Sequence, residues 1–344
     1  MKIDREHVRH WKKVLSPYYG PDNRRSAWQM GYTAVLYVAG WVLMYLSLGV
    51  GYWLTLLLAL PIAGLQMRLF MFQHDCGHGS YFKSRRLACV TGSVIGVLNL
   101  TPYHYWRKTH AIHHAHSGDL DVRTFGDIVT VTVKEYEAMS LLQRFAYRFY
   151  RNPVVLFGPG AAFQFLVKHR FPWDIPRSWK REWQSVWWTN AALAAIVGGA
   201  WLTIGLGTFL MIQLPLTFIS CAIGVWLFYV QHQFEDAYWN WRKDWNYYDA
   251  ALFGSSFLRL PRLLQWFTAN IGLHHVHHLS ARIPNYRLQR CHDENPDLWK
   301  APTMTMWDGL KTLHLVLWDE GRRKLISFRE YRRTARRLSR RCRG

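Results

Sequence analysis

Histidines gather in three short clusters of this sequence, and their spacing is its strongest chemical signal. The first cluster covers residues 74–78 and has the pattern HxxxH, and the second covers residues 110–114 and has the pattern HxxHH. The third covers residues 274–278 and also contains HxxHH. Residues three and four apart lie on one face of an α-helix. Each cluster can therefore aim two or three imidazole nitrogens at one point, which is the geometry of a metal site.

A metal centre is the interpretation that the clusters favour. Imidazole suits iron, zinc and copper. Histidines must be neutral to bind a metal, so gathering many of them is costly unless a metal compensates for it. One further histidine follows a long apolar stretch and is expected at the same level as the clusters. The predicted ligands are His74, His78, His110, His113, His114, His232, His274, His277 and His278.

Nine imidazoles are too many for one ion and about the right number for two. A catalytic zinc ion takes three protein ligands and keeps an open position, and carboxylate-bridged di-iron bundles use Glu-x-x-His pairs, which this sequence lacks. An all-nitrogen site for two iron ions is therefore the better interpretation. The other histidines are predicted to pack, support the site or face solvent: His7, His10, His104, His116, His169, His275, His292 and His314.

Two long stretches without a charged residue or histidine predict the elements that carry these clusters. They cover residues 26–67 and 183–231. A helix needs about 20 apolar residues to cross a bilayer, so each stretch has room for a hairpin of two helices. Glycines lie between the two halves of each stretch, where a turn is needed. The predicted membrane helices cover residues 28–48, 52–72, 185–204 and 208–230.

Charge predicts the orientation of these hairpins. The formal net charge is +21, and the two hairpin turns carry no Lys or Arg. The positive-inside rule therefore puts both termini and every histidine on the cytoplasmic side of the cell membrane. Residues 87–103 are apolar but short, and we expect a re-entrant segment there. A full crossing would put the first two histidine clusters on opposite sides of the membrane.

These patterns together predict an all-α integral membrane protein with a single domain over residues 1–344. Residues 104–182 and 231–321 form its cytosolic helical cap, and residues 322–344 form an arginine-rich tail. The first residues are too charged for a signal peptide, and five scattered cysteines without a CxxC motif predict reduced thiols. The basic residues flank membrane segments, so lipid headgroups rather than nucleic acid are the expected partner.

Six polar residues beside the clusters are candidates for orienting the imidazoles. A metal-binding histidine commonly donates its other ring N–H to a carboxylate or carbonyl oxygen, which fixes the ring. The candidates are Asp75, Asp119, Asp121, Glu235, Asp236 and Asn285.

The clusters and their flanks resemble the membrane fatty acid desaturase superfamily, and within it the bacterial acyl-lipid desaturases. The similarity covers about residues 28–300. It rests on HDCGHGSYF (74–82), PYHYWRKTHAIHHAHSGDLD (102–121), YVQHQFEDAYW (229–239) and HHVHHLSARIPNY (274–286). One departure is His116, where relatives are expected to have a small polar residue, so the surroundings of the ligands differ while the ligand set is kept.

The resemblance implies a fold, a reaction and partners. It implies four membrane helices, a cytosolic cap with two irons, and the same nine histidines as ligands. The reaction would use O2 to introduce a cis double bond into a lipid-linked acyl chain. No fused cytochrome domain is evident, so two electrons should come from an external carrier such as ferredoxin or flavodoxin with its reductase.

Two alternatives stay open at this point. A lipid hydroxylase or a carotenoid oxygenase of the same superfamily has the same histidine spacing. A non-enzymatic metal or haem transporter would need polar or ionisable groups inside its membrane helices. Both apolar stretches lack such charged groups, which makes the transporter the weaker alternative.

Overall fold

The fold is known from a computed structural model that describes residues 5–123 and 126–341. Cys342 and the end of the predicted tail lie outside the described residues. The helices are α1 (Arg5–Leu15), α2 (Asn23–Ser47), α3 (Tyr52–His78), α4 (Arg85–Leu98), α5 (Tyr103–His116), α6 (Val133–Ala138), α7 (Leu141–Tyr150), α8 (Pro153–Phe157), α9 (Pro159–Leu166), α10 (Lys180–Thr203), α11 (Leu206–His232), α12 (Tyr247–Phe253), α13 (Arg262–Phe267), α14 (His274–Leu279), α15 (Asn285–Glu294), α16 (Met306–Lys311) and α17 (Phe328–Arg341). Short 3-10 helices cover Ser16–Tyr18, Lys168–Arg170, Pro296–Lys300 and Thr312–His314. The strands are β1 (Val131–Thr132), β2 (Phe257–Arg259), β3 (Thr303–Thr305), β4 (Leu315–Asp319) and β5 (Lys324–Ser327).

The two apolar stretches form two pairs of consecutive long helices. The pair α2 and α3 is antiparallel, because Ser26 near the start of α2 bonds the carbonyl of Tyr81 just beyond α3, while Ser47 and Thr55 share a 2.7 Å hydrogen bond at the opposite end. The pair α10 and α11 turns at Gly205, whose φ of +83° favours glycine. Within the described residues, α2, α3 and α11 are long and apolar enough to cross a membrane.

The helices α3 and α11 run side by side in the same direction. Tyr52, at the start of α3, donates a hydrogen bond to the carbonyl of Met211, and Ser220 further along α11 donates to Gln66 Oε1 at 3.1 Å. The C-terminal ends of both helices therefore lie at the same end of the bundle. Since each helix ends in histidine, this arrangement brings the first cluster close to the histidine that ends α11.

The helix α4 runs antiparallel beside α3, and α5 then runs back toward the C-terminal end of α3. Gln66 donates to the carbonyl of Leu98 at the end of α4, and Gln73 donates to the carbonyl of Thr101 in the following turn. The turn therefore lies at the level of α3 residues that precede the first cluster. Tyr103 packs so closely on Gly92 that a Cβ added there would lie 2.3 Å from the tyrosine ring. This contact fixes the start of α5, which carries the second cluster.

Two small β-sheets make the fold less helical than the sequence analysis expected. Strand β4 pairs parallel with β1 and antiparallel with β5, and β2 pairs parallel with β3. The all-α expectation is wrong for these segments. Leu317 and Leu325 on β4 and β5 are fully buried, and residues that are apolar, aromatic or β-branched suit a half-buried sheet. The predicted basic tail, residues 322–344, thus begins in the turn between β4 and β5.

Candidate metal centre

Nine histidine side chains converge at the end of the bundle in two groups. The five-histidine group contains His74, His78, His110, His114 and His277. The four-histidine group contains His113, His232, His274 and His278. Within each group, one ring nitrogen from every residue lies within 4.8 Å of the others. The structure therefore brings together all nine histidines that the sequence predicted as ligands.

Helix geometry decides which histidine joins which group. In an α-helix, residues four apart nearly share a direction, whereas consecutive residues differ by about 100°. On α5, His110 and His114 accordingly belong to the five-histidine group, while His113 belongs to the other. The helix α14 divides in the opposite proportion, since His277 belongs to the five-histidine group while His274 and His278 belong to the other. The pattern HxxHH therefore serves two sites, and the rings of His114 and His278 stack across them with centroids 4.2 Å apart.

The ring nitrogens face one another in a way that suits metal ions. His114 Nε2 lies 3.1 Å from His110 Nε2 and 3.0 Å from His277 Nε2. A neutral imidazole has only one N–H, so wherever that proton is on Nδ1 these Nε2 atoms face one another with lone pairs. The Nε2 atoms of His78 and His278 are buried, and within the described residues they have no hydrogen-bond partner. One cation in each group would satisfy these nitrogens, so the residues present fit a metal.

Burial also keeps five histidines of the two groups neutral. Burial, followed by repulsion from neighbouring imidazoles, holds the pKa of His110, His114 and His277 well below the ordinary 6.5. The same causes lower the pKa of His274 and His278. A neutral imidazole offers a free lone pair, which is the form that binds a metal.

Three acceptors outside the groups fix the orientation of individual rings. The Nδ1 atom of His74 lies 3.2 Å from Asp75 Oδ1, and that of His113 lies 2.5 Å from Asp127 Oδ1. His232 Nδ1 lies 3.0 Å from the carbonyl oxygen of Gly254. Each acceptor favours a proton on Nδ1 and so leaves Nε2 facing the group.

Six residues were predicted to orient the imidazoles, and among the described residues Asp75 is the one that bonds a histidine of the two groups. Its second carboxylate oxygen accepts two hydrogen bonds of 2.9 Å from the backbone and side-chain N–H groups of Asn285. Asn285 therefore supports Asp75 rather than an imidazole. Sequence reasoning missed Asp127, which follows the second cluster at a distance along the chain, and the carbonyl of Gly254, which has no side-chain signature.

The other acidic candidates have different partners. Asp119 forms a 2.9 Å ion pair with Arg242, whose backbone N–H donates to Asp121. Glu235 pairs with Lys324 at 2.6 Å, and Asp236 is exposed. In the part of the chain that the structure describes, none of these four carboxylates bonds a histidine of the two groups.

The histidines that were not predicted as ligands lie outside both groups. The ring of His116 accepts from Arg242, and His275 Nε2 lies 3.1 Å from His292 Nδ1. Burial lowers the pKa of His104 to about 4, and its ring packs on Tyr103. These positions agree with packing and supporting roles.

A helical bundle with membrane-length apolar helices and a cluster of nine imidazoles at one end describes a membrane protein with a site suited to metal ions. Comparison with known proteins gives its family. The family model for fatty acid desaturase matches residues 51–309. A fatty acid desaturase from Bacillus subtilis (strain 168) is 44% identical over 317 residues, which cover 92% of this chain and 90% of the relative.

More distant relatives are also desaturases. An sn-1 oleoyl-lipid 12-desaturase from Anabaena variabilis is 25% identical over 297 residues, covering 83% of this chain and 81% of the relative. An sn-1 acyl-lipid omega-3 desaturase (ferredoxin) from Synechocystis sp. is 30% identical over 230 residues, covering 64% and 62%. This chain belongs to the fatty acid desaturase family. Because the family model and these relatives are desaturases, the desaturase interpretation is confirmed over the hydroxylase, carotenoid oxygenase and transporter alternatives, and the activity is that of an oxidoreductase.

Proposed function

We propose that this protein uses O2 and two iron ions to introduce a cis double bond into a lipid-linked acyl chain. The observation that carries the proposal is the division of nine converging imidazoles into groups of five and four. Imidazole is a good ligand for iron, and one ion in each group accounts for all nine. When bound, the iron pair supplies the oxidising chemistry that removes hydrogen from an unactivated methylene, which is beyond side-chain acids and bases.

The chain's own residues orient the ligands and exclude water. Asp75, Asp127 and the Gly254 carbonyl accept hydrogen bonds from the Nδ1–H groups of three histidines and so keep those rings from rotating. Trp106 stacks on His110 with ring centroids 4.5 Å apart, and Phe228 packs against His113 at 5.0 Å. These aromatic walls keep bulk water away from the ring nitrogens.

We propose the membrane arrangement that charge predicted, with a single domain over residues 1–344. Residues 185–203 of the predicted helix 185–204 lie in α10. This helix has the length of a membrane helix but is less apolar than α2, α3 and α11. Its pairing with α11 supports a fourth crossing. The descent of α4 beside α3 and the return of α5 support a re-entrant segment at residues 87–103. Both termini, the cap at 104–182 and 231–321, and the metal site then face the cytoplasm.

Exposed apolar side chains on α7 support the proposed position of the cap at the membrane surface. Helix α7 buries Tyr147 but exposes one apolar face, whose members are Leu141, Leu142, Phe145 and Phe149. An amphipathic helix of this kind lies in the plane of a membrane interface. Single cysteines placed in the turns at residues 49–51 and 205 should react with a membrane-impermeant thiol reagent only from outside the cell. Labelling of those turns from the cytoplasmic side would contradict this topology.

The electron donor in this proposal is a separate acidic protein. Relatives from Synechocystis sp. and Nostoc sp. are named with ferredoxin, and the net charge of +21 favours a negatively charged partner. Purified protein should turn over with ferredoxin and its reductase, and flavodoxin is the second donor to test. Turnover that is independent of either carrier would contradict an external acidic donor.

The main test combines product analysis with metal analysis. The protein is expressed in a host that lacks the activity, and mass spectrometry locates any new double bond in the lipids. Purified protein should contain two irons per chain. A hydroxylated product without a new double bond, or fewer than two irons in active protein, would contradict the proposal. The variant His277→Ala is the matched inactive control, because it removes one nitrogen from the five-histidine group.

A further inference from the structure

A buried cation lies beside the four-histidine group, and the proposed chemistry does not use it. Arg151 follows the end of α7 and is only 2% exposed. A buried charge is costly unless other groups compensate for it. Among the described residues, no acidic side chain forms an ion pair with Arg151. Its neighbours must therefore compensate through hydrogen bonds.

The guanidinium of Arg151 joins three separate segments of the chain. One nitrogen, Nη1, donates to the carbonyl of Val129 at 2.8 Å and to Thr130 Oγ1 at 3.2 Å. The other, Nη2, donates to the carbonyl of Leu315 at 2.8 Å and to Gln233 Oε1 at 3.1 Å. Arginine presents its donors in a planar, rigid fork, so these segments are held in fixed positions relative to one another.

Two of these segments lead directly to the four-histidine group. Val129 lies two residues after Asp127, whose carboxylate orients His113. Gln233 is the residue immediately after His232, and its Oε1 also accepts from Thr130 at 3.1 Å. The same guanidinium thus fixes the loop that carries an orienting carboxylate and the end of the helix that carries a ligand.

We propose that Arg151 is a positioning residue for the four-histidine group and that it determines how tightly this group holds its ion. The inference rests on the proposed two-iron function. Arg151 acts through Asp127 and Gln233 and does not touch the metal ligands itself. Among the described residues, none of its hydrogen-bond partners adjoins a histidine of the five-histidine group, so the effect of losing Arg151 should fall on one ion.

The test compares three arginine variants of the full-length protein purified in detergent. Iron per chain, the rate of iron release to a chelator and the thermal midpoint are measured for each. Arg151→Met should keep about half of the wild-type iron and release the ion of the four-histidine group at least tenfold faster, which is the lower end of the effect of losing a residue that supports ligands. Arg151→Lys should recover part of that iron, because lysine restores the charge but not the fork.

The matched control is Arg144→Met in α7, the helix that Arg151 directly follows. Arg144 donates to the backbone carbonyls of residues 136, 137 and 139, and none of these adjoins either group. This variant should keep all of its iron even if its thermal midpoint falls. Wild-type iron content and release in Arg151→Met would overturn the proposal. Loss of both irons to the same extent, in proportion to the fraction of unfolded protein, would also overturn it.

A second variant covers the case in which Arg151→Met does not fold. Gln233→Leu removes one acceptor and leaves Arg151 bonded to the carbonyls of Val129 and Leu315. It should fold, and it should lose iron in the same partial way. A folded Gln233→Leu protein with unchanged iron would overturn the inference. Fewer than two irons in the wild type would instead contradict the proposed function, so the two failures can be told apart.

Discussion

The carboxylate of Asp75 offers the sharpest test of how ring orientation controls metal binding. It accepts from three donors, namely the Nδ1–H of His74 and both N–H groups of Asn285, and it is only 4% exposed. Asparagine at this position keeps one acceptor oxygen and replaces the other with an N–H₂ donor. In one orientation the new N–H₂ group faces the two N–H donors of Asn285. In the other it faces His74 and favours the tautomer with a proton on Nε2, which blocks the metal-facing lone pair.

The magnitude follows from those two outcomes. Loss of a residue that orients a ligand typically costs 10- to 100-fold in metal affinity, which corresponds to about 1.4–2.8 kcal/mol. A buried donor left without a partner costs about 1–3 kcal/mol of folding stability. Asp75→Asn should therefore weaken iron binding in the five-histidine group by about 10- to 100-fold, and it should lower the thermal midpoint of the metal-free protein.

Chelator competition with purified protein measures this effect. Asp121→Asn is the matched control, since that carboxylate also follows a histidine cluster but accepts from the backbone N–H of Arg242. The control should keep wild-type iron affinity. If Asp75→Asn binds iron within twofold of the wild type, tautomer control by Asp75 is refuted. Equal weakening in both variants would mean that lost negative charge, rather than ring orientation, is the cause.

Three further predictions follow from the same structure. Metal analysis should show that His232→Ala loses about one iron per chain while His275→Ala keeps both. Loss of iron from His275→Ala but not from His232→Ala would contradict the division into two groups. Burial lowers the pKa of His169 to about 3, so it stabilises the fold above pH 6.5 and this contribution is lost as the pH falls. Thermal unfolding should show stability falling with pH below pH 6.5, and His169 should contribute up to about 1.4 kcal/mol per pH unit to that fall. The fall should therefore be shallower by that amount in His169→Gln, and identical slopes would refute this. Gly92→Ala should lower both thermal stability and iron content by displacing the start of α5, while Gly198→Ala, which meets nothing within 4 Å, should change neither.

The sequence predicted the parts of the site that depend on local spacing. Two histidines four apart on a helix must point the same way, so the pair on α3 could be recognised without a structure. The end of α3 was placed at residue 72, although the helix continues to His78, because polar histidines do not look like a membrane helix. Asp127 could not be predicted, since its approach to His113 depends on the path of a loop rather than on a repeat.

The strands escaped prediction for a different reason. They contain two to five residues each, which is too short for an alternating pattern to stand out from an apolar helix. Their partners are distant in sequence, as when Val131 pairs with Leu317. The pairing that stabilises them therefore depends on tertiary contacts within the cap, such as the hydrogen bonds that Arg151 and Tyr229 donate to the carbonyl of Leu315 at the start of β4.

The division of the histidines explains why the two HxxHH clusters differ from the HxxxH cluster. Helix α3 supplies only the five-histidine group and α11 only the four-histidine group, whereas α5 and α14 supply both. A helix that serves one site needs only a pair four apart. A helix that lies between two sites needs one more histidine, turned about 100° from its neighbour. Two alanines inserted between Ile112 and His113 would turn the last two histidines of α5 by about 200° and, by metal analysis, should empty both sites, whereas His232→Ala should empty one.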